Sequence, residues 1–323
     1  MTKTGICAGI VLALGAAAPQ ATAEELLTVA EPGTSRAWDT SIPEYGARAG
    51  VFGEEGLRVE VANTESVVEA LQAVIAGSAD IGMVALPVFL GAAMQGAPIV
   101  MISSKFYGAS DYVWYVRDDS PIRSIADVTP GTTVGASRPG GSVYFHLLEL
   151  IEQYGIEPEI VFTGPSGATI TLVMSGQVEV GSHGNGLLGV PEYESGELRI
   201  VTFGSEIETM REVSVRGMVV SEETLANRRE VLERFLRGYQ RTLDWMYEED
   251  QAVEWFSEQT LSSLDEARRV VRENYPKEAL AVGPITGIEL SVQQAIDTER
   301  ISEPPTAEDM SRLFRTVWIP GGS

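Results

Sequence analysis

Along most of the chain, short apolar runs of strand character alternate with longer stretches in which apolar residues recur at helical spacing. Near the amino terminus the strand-like runs are LLTV, LRVEV, ADIGMV and PIVMIS. Between the second and third of these runs, ESVVEALQAVIAG predicts a helix that ends at Gly77. Five apolar residues share one face of this helix: Val67, Val68, Leu71, Val74 and Ile75. This alternation predicts an α/β fold.

The same scheme occurs twice in the chain. IAGSADIG at 75–82 matches MSGQVEVG at 174–181 position for position: apolar, small, Gly, two variable, acidic, β-branched, Gly. The strand-like runs that follow, PIVMIS and ELRIVT, keep the same offset of 99 residues. The repeat predicts two lobes built on one βαβαβ plan.

Two extended segments, SDYVWYVR at 110–117 and REVSVRGMVV at 211–220, bracket the second copy. We interpret them as two strands that cross between the lobes. Two α/β lobes joined in this way enclose a cleft, and small ligands bind preferentially at such interfaces. We therefore expect a discontinuous lobe I over 24–109 and 215–323, and a lobe II over 110–214.

The chain beyond residue 220 is mainly helical. Ser221 has the character of an N-cap and is followed by two glutamates in the first turn. The apolar positions of the following run form one inner face, made of Leu225, Leu232, Phe235, Leu236, Tyr239, Leu243 and Met246. We expect this carboxy-terminal block to pack back onto lobe I.

The first 23 residues have the pattern of an export signal peptide. Lys3 gives a positive start, ICAGIVLALGAAA is an apolar core too short to span a bilayer, and ATA precedes a predicted cut after Ala23. A buried first helix would not explain the abrupt switch to EELLTV. Cys7 is the only cysteine and lies in this segment, so the mature chain would hold no thiol, disulfide or thiolate metal site. No other stretch is long and apolar enough to cross a membrane.

The formal net charge of the chain is −23. This acidity argues against nucleic acid and anionic lipid surfaces as partners. Two interpretations of the charge stay open, namely solubility in a salty habitat and an acidic face for docking a partner. Neither determines the sign of a ligand, because a binding pocket is local.

SRPGGSVYFHLLELI at 137–151 opens a helix with small, hydrogen-bonding residues. Gly140 and Gly141 permit a sharp turn and Ser142 is a candidate N-cap, which explains the stretch as simple chain geometry. A second explanation is that a small polar ligand binds there, held by the N–H groups that have no partner inside the helix. The stretch alone does not decide between them.

Three segments together resemble a known family. SIPEYGARAGVFGEEGLRVEV, ALQAVIAGSADIGMV and VGASRPGGSVYFHLLEL are similar, in this order, to segments of the nitrate/sulfonate/taurine-type solute-binding proteins of ABC importers. That group also includes binders of thiamine precursors. The resemblance covers roughly residues 26 to 240. It implies the two-lobed type II periplasmic binding fold and a periplasmic, monomeric receptor. Such a receptor closes on one small molecule and presents it to a permease in the inner membrane.

The resemblance also implies where a ligand would lie, namely where the loops after the parallel strands converge. In lobe I the matching residues are Thr34, Ser35, Trp38, Ala85, Leu86 and Pro87, with Tyr107 just before the first crossing. In lobe II they are Ser137, Arg138, Gly140, Gly141, Ser142, Ser182, His183 and Asn185. The helix start at Gly140–Ser142 would offer donors to a sulfonate or carboxylate, and Arg138 would add a charge-assisted contact.

Several of these residues have a second interpretation. SHGNG at 182–186 departs from the family pattern, so His183 is either a ligand donor or a satisfied loop histidine. His146 is interpreted as structural, Trp38 as a ligand-stacking or a core residue, and Arg36 as an anion partner or a member of a surface ion pair. With no His-x-x-x-His motif or acidic cluster nearby, the two histidines favour neither a metal nor a cofactor.

The leading hypothesis is a receptor for an organic anion, such as a sulfonate or carboxylate, that serves an ABC importer. A variant of this hypothesis has a neutral heteroaromatic ligand, for instance a pyrimidine vitamin precursor, stacked by Trp38, Tyr107 and Tyr144. An enzyme on the same fold is a rival, but the cysteine-rich segment of the related pyrimidine synthase is absent, and no G-x-S-x-G elbow surrounds Ser182 and His183. A sensor subunit or a receptor for another importer stays open.

Overall fold

The computed structural model describes residues 24–32, 36–139, 141–164 and 166–321. The predicted signal peptide and Cys7 lie outside these residues. The described residues form strands β1 (Glu25–Pro32), β2 (Leu57–Thr64), β3 (Ile81–Ala85), β4 (Ile99–Tyr107), β5 (Tyr112–Arg117), β6 (Thr133–Ala136), β7 (Glu159–Phe162), β8 (Gly181–Gly184), β9 (Leu198–Phe203) and β10 (Ser214–Ser221).

The helices alternate with these strands as the hydrophobic pattern predicts. They are α1 (Ile42–Arg48), α2 (Val51–Glu54), α3 (Val67–Ile75), α4 (Leu86–Met94), α5 (Ser142–Tyr154), α6 (Ser166–Met174), α7 (Pro191–Glu194), α8 (Glu222–Asn227), α9 (Arg229–Glu248), α10 (Asp250–Thr260), α11 (Leu264–Asn274), α12 (Ile288–Asp297) and α13 (Ala307–Leu313). The predicted α/β class is confirmed.

Two sheets have the same strand order. The first has the order β2-β1-β3-β10-β4, with β10 antiparallel to both of its neighbours. In the second, β5 lies between β8 and β9 and is antiparallel to both. The parallel pair β6-β7 joins β8 through a bridge between Val134 and Val180, which gives β7-β6-β8-β5-β9. The equal strand order of the two sheets agrees with the repeat in the sequence. β5 and β10 correspond to the two segments predicted to cross between the lobes.

Helices cover both faces of the first sheet because its strands are apolar on both sides. One face packs against α1, α2, α9, α10 and α11 around Phe52, Phe235 and Tyr239. The other face packs against α3, α4, α12 and α13 around Phe89 and Leu90. The second sheet packs in the same way, with Leu147 and Leu150 of α5 on one side and Val173 of α6 on the other.

The carboxy-terminal helices pack onto the first sheet as predicted. Ser221 is the N-cap of α8, where its hydroxyl accepts from the Thr224 N–H at 2.9 Å. The predicted single run is interrupted at Arg228, which separates α8 from α9. Six of the seven residues of the predicted inner face are buried: Leu232, Phe235, Leu236, Tyr239, Leu243 and Met246. The seventh, Leu225, is half-buried.

The single apolar face predicted for 67–75 is partly wrong. Leu71 and Val74 are buried, but Val68 is 45 % exposed and Ile75 is 42 % exposed. Ser66 caps α3 by accepting from the Glu69 N–H. Val68 and Ile75 lie about 60° and 40° from Leu71 around the helix, on the side away from Val74, whereas the sheet covers the side that holds Ala70, Leu71 and Val74.

Residues 314–317 add to the first sheet beside β4. Phe314 forms a parallel bridge with Met101. The Arg315 N–H donates to the Met101 carbonyl at 2.9 Å, and the Val317 N–H donates to the Ile102 carbonyl at 3.1 Å. The chain from 314 to 317 therefore runs alongside β4 in an extended conformation.

Candidate functional site

A cleft lies where the ends of β3 and β10 and the first turns of α3 and α5 meet. It consists of two cavities of about 370 Å³ and about 330 Å³. Both cavities are lined by Ser66, Val67, Ala85, Ser142 and Arg216, so they are continuous. α3 and β3 contribute from the first sheet and α5 contributes from the second, which places the cleft between the two sheets.

The N-terminus of α5 differs from its predicted form. The N-cap is Gly141, Ser142 is the first helical residue, and no side chain caps the helix among the described residues, so the prediction that Ser142 caps α5 is wrong. Gly141 donates its N–H to the Arg138 carbonyl at 3.2 Å. A Cβ at position 141 would lie 3.1 Å from Ser137 Oγ and 3.3 Å from the Arg138 carbonyl oxygen. The tight turn therefore favours glycine, and it leaves the Ser142 hydroxyl in the cleft.

The larger cavity has a basic lining. Arg138, Arg216 and Arg300 line it, and no carboxylate is among its described lining residues, although Arg216 pairs with Asp39 and Asp111 of the smaller cavity. The first turn of α5 adds the positive end of a helix dipole. Arginine guanidinium groups and helix N-termini both bind anions, so this end of the cleft favours a negatively charged group.

His146 of α5 also lines the larger cavity, although the sequence favours a structural role. Its side chain is buried, and its Nδ1 has no hydrogen-bond partner among the described residues. Burial, helped by the nearby charge of Arg216, lowers the pKa of His146 to about 3. The imidazole is therefore neutral at physiological pH.

A chain of alternating charges forms the floor of the smaller cavity. Lys105 Nζ donates to Glu31 Oε1 at 2.9 Å and lies 3.6 Å from Asp39 Oδ2. Asp39 Oδ2 in turn lies 3.5 Å from Arg216 Nη1, and Arg216 Nη2 donates to Asp111 Oδ2 at 2.6 Å. The guanidinium of Arg216 also lies 4.6 Å from the ring centroid of Phe106. The floor thus ties β1, β4, β10 and the start of β5 together.

Burial dominates the ionisation of these carboxyl groups. It raises the pKa of Glu31 to about 7, although the charge of Lys105 opposes the shift. It also raises the pKa of Asp111, against the opposing charge of Arg216. Glu31 and Asp111 are therefore carboxylates whose charged form is costly unless a further positive group approaches.

Four of the predicted site residues line the cleft, namely Ala85, Arg138, Gly141 and Ser142. Pro87, at the start of α4, lines the larger cavity as well. Thr34, Ser35 and Gly140 lie outside the described residues. Around the cleft, the structure thus brings together the loop after β3 and the start of α5, as the resemblance implies.

Three of the site residues predicted for lobe I lie outside the two cavities. Trp38 is fully buried, with its ring edge-to-face against Tyr45, Tyr247 and Phe256. Leu86 is buried in the core on the α4 side. The Tyr107 hydroxyl donates to the Pro284 carbonyl at 2.6 Å, and its side chain lines a separate cavity of about 130 Å³.

Four further predicted residues also lie away from the two cavities: Ser137, Ser182, His183 and Asn185. The His183 Nδ1 contacts the Gly184 carbonyl, and burial lowers the pKa of this histidine. Asn185 donates from Nδ2 to the Arg36 carbonyl at 3.3 Å and accepts from the Tyr275 hydroxyl at 2.8 Å. Ser182 donates to the Gly135 carbonyl at 3.0 Å, and Ser137 accepts at its carbonyl from the Gly164 N–H at 2.9 Å. Arg36 pairs with Glu44, which is the surface ion pair named as one interpretation.

The sequence prediction missed the charged floor and Arg300. Lys105, Asp111 and Arg216 lie in or beside runs that are otherwise apolar, ISSKFY, ASDYVWY and SVRGMVV. Charged residues are seldom buried in such strands unless they are paired. Three charges inside strand-like runs were therefore a signal that these side chains are buried and paired, although the sequence does not show with which partners.

No group of three or more His, Cys, Asp or Glu residues among the described residues is placed to hold a metal ion. Nor does any helix in the described ranges combine the length and the apolar character needed to cross a bilayer.

Comparison with known proteins gives a family and a fold. The family model described as NMT1/THI5 like matches residues 41–253. No curated protein matches the chain. The solved structures that are similar include the periplasmic aliphatic sulphonate binding protein SsuA from Escherichia coli, 15 % identical, with a TM-score of 0.71 over 93 % of this chain and 94 % of that one.

Two further structures are similar at the level of the fold. The alkanesulfonate-binding protein SsuA from Xanthomonas axonopodis pv. citri, bound to MOPS, is 13 % identical, with a TM-score of 0.60 over 84 % of this chain and 90 % of that one. A cysteine-to-serine variant of the enzyme DszB, in complex with biphenyl-2-sulfinic acid, is 13 % identical, with a TM-score of 0.61 over 88 % and 95 %. The fold is therefore that of periplasmic binding proteins, and it also occurs in an enzyme.

Proposed function

Since this chain belongs to the NMT1/THI5-like family, we propose that it is a periplasmic receptor that captures a small organic anion in its cleft and delivers it to an ABC permease. The observation that carries this proposal is the lining of the larger cavity. Arg138 and Arg300 meet there with the first turn of α5 and with Arg216, and no carboxylate is among the described residues that line this cavity, although Arg216 also pairs with Asp39 and Asp111 of the smaller cavity. A sulfonate or carboxylate fits this lining because it accepts charge-assisted hydrogen bonds from guanidinium groups.

The capture mechanism that we propose is closure of two lobes. Lobe I comprises 24–109 and 215–323, lobe II comprises 110–214, and β5 and β10 are the connections between them. The ligand would touch Arg216 on the crossing strand, Ala85 in lobe I and Ser142 in lobe II. A ligand that contacts both lobes stabilises the closed state by its additional contacts there, which shifts the open–closed equilibrium.

The heteroaromatic alternative has less support in the cleft. Trp38 and Tyr107 lie outside both cavities, and Tyr144 packs against Phe145 and Phe162. A stacked pyrimidine would have only Tyr112, Phe145 and the imidazole of His146 as aromatic neighbours among the described lining residues. Stacking therefore contributes less here than the arginine contacts do.

An enzymatic function has no support in the geometry of the neighbouring pair Ser182 and His183. The Ser182 hydroxyl donates to the Gly135 carbonyl, and the His183 Nδ1 lies against the Gly184 carbonyl. A serine nucleophile requires a base that takes its proton and a third group that orients the base. The proposed function is therefore binding, and the family resemblance is the ground for proposing a monomer without a cofactor.

Isothermal titration calorimetry of the mature protein tests the proposed function. The panel sets alkanesulfonates and short carboxylates, with and without an amino group, against pyrimidines and flavins. We expect binding within the sulfonates and carboxylates only. Binding confined to the pyrimidines or flavins would overturn the anion proposal, and turnover of any bound compound would overturn the receptor proposal.

A further inference from the structure

The two sides of the cleft differ in how the proposed lobes touch. α11 and α12 lie on opposite faces of the first sheet, because Val270 of α11 and Ala295 of α12 belong to the cores of opposite faces. On the α12 side, the larger cavity lies between the end of α12 and the start of α5. The described residues of 137–164 form hydrogen bonds only within lobe II. No polar contact of described residues therefore holds this stretch of lobe II to lobe I.

On the α11 side, Arg269 of lobe I contacts three groups of lobe II. Its Nη1 donates to the Gly186 carbonyl at 3.4 Å, and its Nη2 donates to Glu194 Oε1 at 3.3 Å. Its guanidinium also lies 4.6 Å from the ring centroid of Tyr193. A guanidinium binds several partners at once because its N–H donors are fixed in one planar fork. We name this contact, made by residues 269–275 and 185–194, the tie.

The tie continues to the carboxy-terminal end of α11, beside the crossing strand β5. The Tyr275 hydroxyl donates to Asn185 Oδ1 at 2.8 Å, and Asn274 Nδ2 donates to the Ser110 carbonyl at 3.1 Å. The fit is close, because a Cβ at position 186 would lie 2.1 Å from Asn274 Oδ1. Ser110 comes two residues before the start of β5. The tie thus lies next to a strand that connects the lobes, where a rotation of the lobes displaces atoms least.

A left-handed turn anchors the tie in both lobes. Asn185, Gly186 and Leu187 have φ values of 56°, 56° and 59°. A bulky residue such as leucine seldom adopts this region, and it does so where the surrounding structure holds it there. Leu187 is buried in the core of lobe II, whereas Leu188 packs against the core of lobe I. Separation of the lobes at this turn would therefore lose apolar contacts as well as hydrogen bonds.

We propose that the tie persists in the open, ligand-free protein, so that the lobes separate only on the α12 side and a ligand enters there. This inference rests on the proposed function, because lobe closure is part of it. β5, β10 and the tie together define the axis of a hinge, and the residues farthest from this axis move most. Arg138 of lobe II and Arg300 of lobe I lie on the side that moves.

An outer cavity of about 330 Å³ provides the path to the cleft on this side. It is lined by Arg138, Pro139 and residues 297–300, so both lobes contribute to it. Arg138, Thr298 and Arg300 line the larger cavity as well, which makes the two spaces continuous. Separation of the lobes on the α12 side widens this path.

Two pairs of spin labels compare the two sides in the ligand-free protein. Cys7 is the only cysteine of the chain, so protein without residues 1–23 carries labels only at introduced cysteines. Pro139→Cys with Asp297→Cys spans the α12 side, and Ser195→Cys with Glu258→Cys spans the α11 side; all four residues are exposed. We expect double electron–electron resonance to give a broad distance distribution for the first pair and a clearly narrower one for the second.

Variants of the tie should broaden the distribution of the second pair. Arg269→Ala and Asn185→Gly each remove contacts between the lobes. Arg268→Ala is the matched control, because this neighbouring arginine of α11 pairs with Asp250 of lobe I. It should leave the distribution unchanged. Thermal unfolding shows whether each variant is folded, and having two tie variants protects the test if one of them unfolds.

A disulfide across the tie distinguishes a fixed contact from one that opens. A Cβ at position 186 would lie 2.7 Å from Asn274 Cγ, so Gly186→Cys with Asn274→Cys brings two sulfur atoms within bonding reach. Stopped-flow kinetics with propane-1-sulfonate compares the oxidised and reduced forms. We expect their association rate constants to differ by less than about threefold, because a fixed contact is not changed by a crosslink. A tie that opens for entry would slow association of the oxidised form by about tenfold or more.

The outcomes distinguish this inference from the proposed function. Equal widths on the two sides, or a broader distribution on the α11 side, overturn the inference and leave the calorimetric test of anion binding unaffected. Slow association of the oxidised form overturns it as well. An unchanged second distribution in both tie variants overturns the assignment to Arg269 and Asn185. If propane-1-sulfonate does not bind, the anion proposal is weakened, whereas the ligand-free spin-label comparison still decides the inference.

Discussion

Lys105 Nζ lies 2.9 Å from Glu31 Oε1, and both side chains are almost completely buried. An ion pair in such a position contributes little net stability when intact, because the two groups lose their hydration. Its disruption is costly, because one charge then remains buried without a partner. The pair therefore makes the cleft floor sensitive to single substitutions and less sensitive to paired ones.

Lys105→Met should lower the free energy of unfolding by about 3–5 kcal/mol, because Glu31 and Asp39 lose their shared cation. The double variant Lys105→Met/Glu31→Gln should lose clearly less. Denaturant unfolding at pH 7.5 measures both. The matched control is Arg58→Met, which disrupts an exposed pair with Glu60 and should cost less than about 1 kcal/mol. A double variant that is less stable than the single one would contradict this account.

Stability should fall as pH rises through the range in which Glu31 ionises. The pKa of Glu31 is raised from 4.5 to about 7 by burial, so between these values the folded state holds a proton that the unfolded state has released. The contribution of Glu31 is present in full below about pH 4.5 and is lost as pH rises through about 7. His146 acts in the opposite sense, because its pKa is lowered to about 3, so stability falls as pH drops below its ordinary value of 6.5.

The difference between wild type and Glu31→Gln isolates the glutamate. Relative to the variant, the wild type should lose roughly 1–3 kcal/mol of unfolding free energy between pH 4.5 and 7.5. Urea unfolding across this range measures the loss. Parallel pH profiles of the two proteins would show that Glu31 does not titrate in this window.

Arg138→Ala should weaken the binding of an anionic ligand by about 10- to 100-fold, the size expected for a hydrogen bond to a charged group. The side chain lies at the surface of the cleft, so the free energy of unfolding should change by less than about 0.5 kcal/mol. Calorimetry and thermal unfolding measure the two effects. Arg123→Ala, an exposed arginine outside both cavities, serves as the control. Unchanged affinity would remove Arg138 from the site.

Gly204→Ala should destabilise the protein by roughly 3 kcal/mol or more, because a Cβ there would lie 1.9 Å from the Ala109 carbonyl oxygen. Backbone atoms yield less readily than side chains, so the clash displaces the connection between β4 and β5. Gly167→Ala is the control, since a Cβ there contacts nothing within 4 Å and α6 gains helix propensity. It should be neutral or stabilising by up to about 1 kcal/mol. Equal effects of the two substitutions would refute the argument.

Asn185→Gly tests whether Asn185 bridges the two lobes or contacts the ligand. Its amide connects the Arg36 carbonyl and the Tyr275 hydroxyl, and its φ of 56° suits glycine. We expect ligand affinity to change less than about threefold, because a bridge away from the cavities adds no ligand contact. We also expect the ligand-free radius of gyration in X-ray scattering to rise, because a contact between the two proposed lobes is lost. A tenfold loss of affinity with no change in this radius would indicate a direct ligand contact.

Local patterns were enough to predict the alternation of strands and helices and the helical character of the chain beyond residue 220, but not its division into α8 to α13. β1 to β4 follow from four apolar runs, and the repeat at 75–82 and 174–181 corresponds to the equal strand order of the two sheets. Helix α3 shows where local pattern fails. Val68 and Ile75 are exposed although their spacing places them with Leu71, because the sheet covers the side of the helix that carries Ala70, Leu71 and Val74. Apolar spacing specifies a stripe, and tertiary packing decides which part of the stripe is covered.

The candidate site was predictable only where it is local in sequence. Arg138, Gly141 and Ser142 lie within one motif, so the motif located them. The floor is assembled from residues that are distant along the chain: Lys105 and Glu31 are 74 positions apart, and Arg216 and Asp111 are 105 apart. These charges come together because β10 lies between β3 and β4. The order of residues along the chain does not show that they are close in space.

The extended segment from 314 to 317 has a consequence for the behaviour of the protein in solution. β4 ends its sheet, and an uncovered edge strand offers a row of free main-chain donors and acceptors to another molecule. Hydrogen bonds from Arg315 and Val317 occupy acceptors on that edge. The segment thus protects a highly apolar strand from edge-to-edge aggregation, a protection that would be lost in a shortened variant lacking these residues.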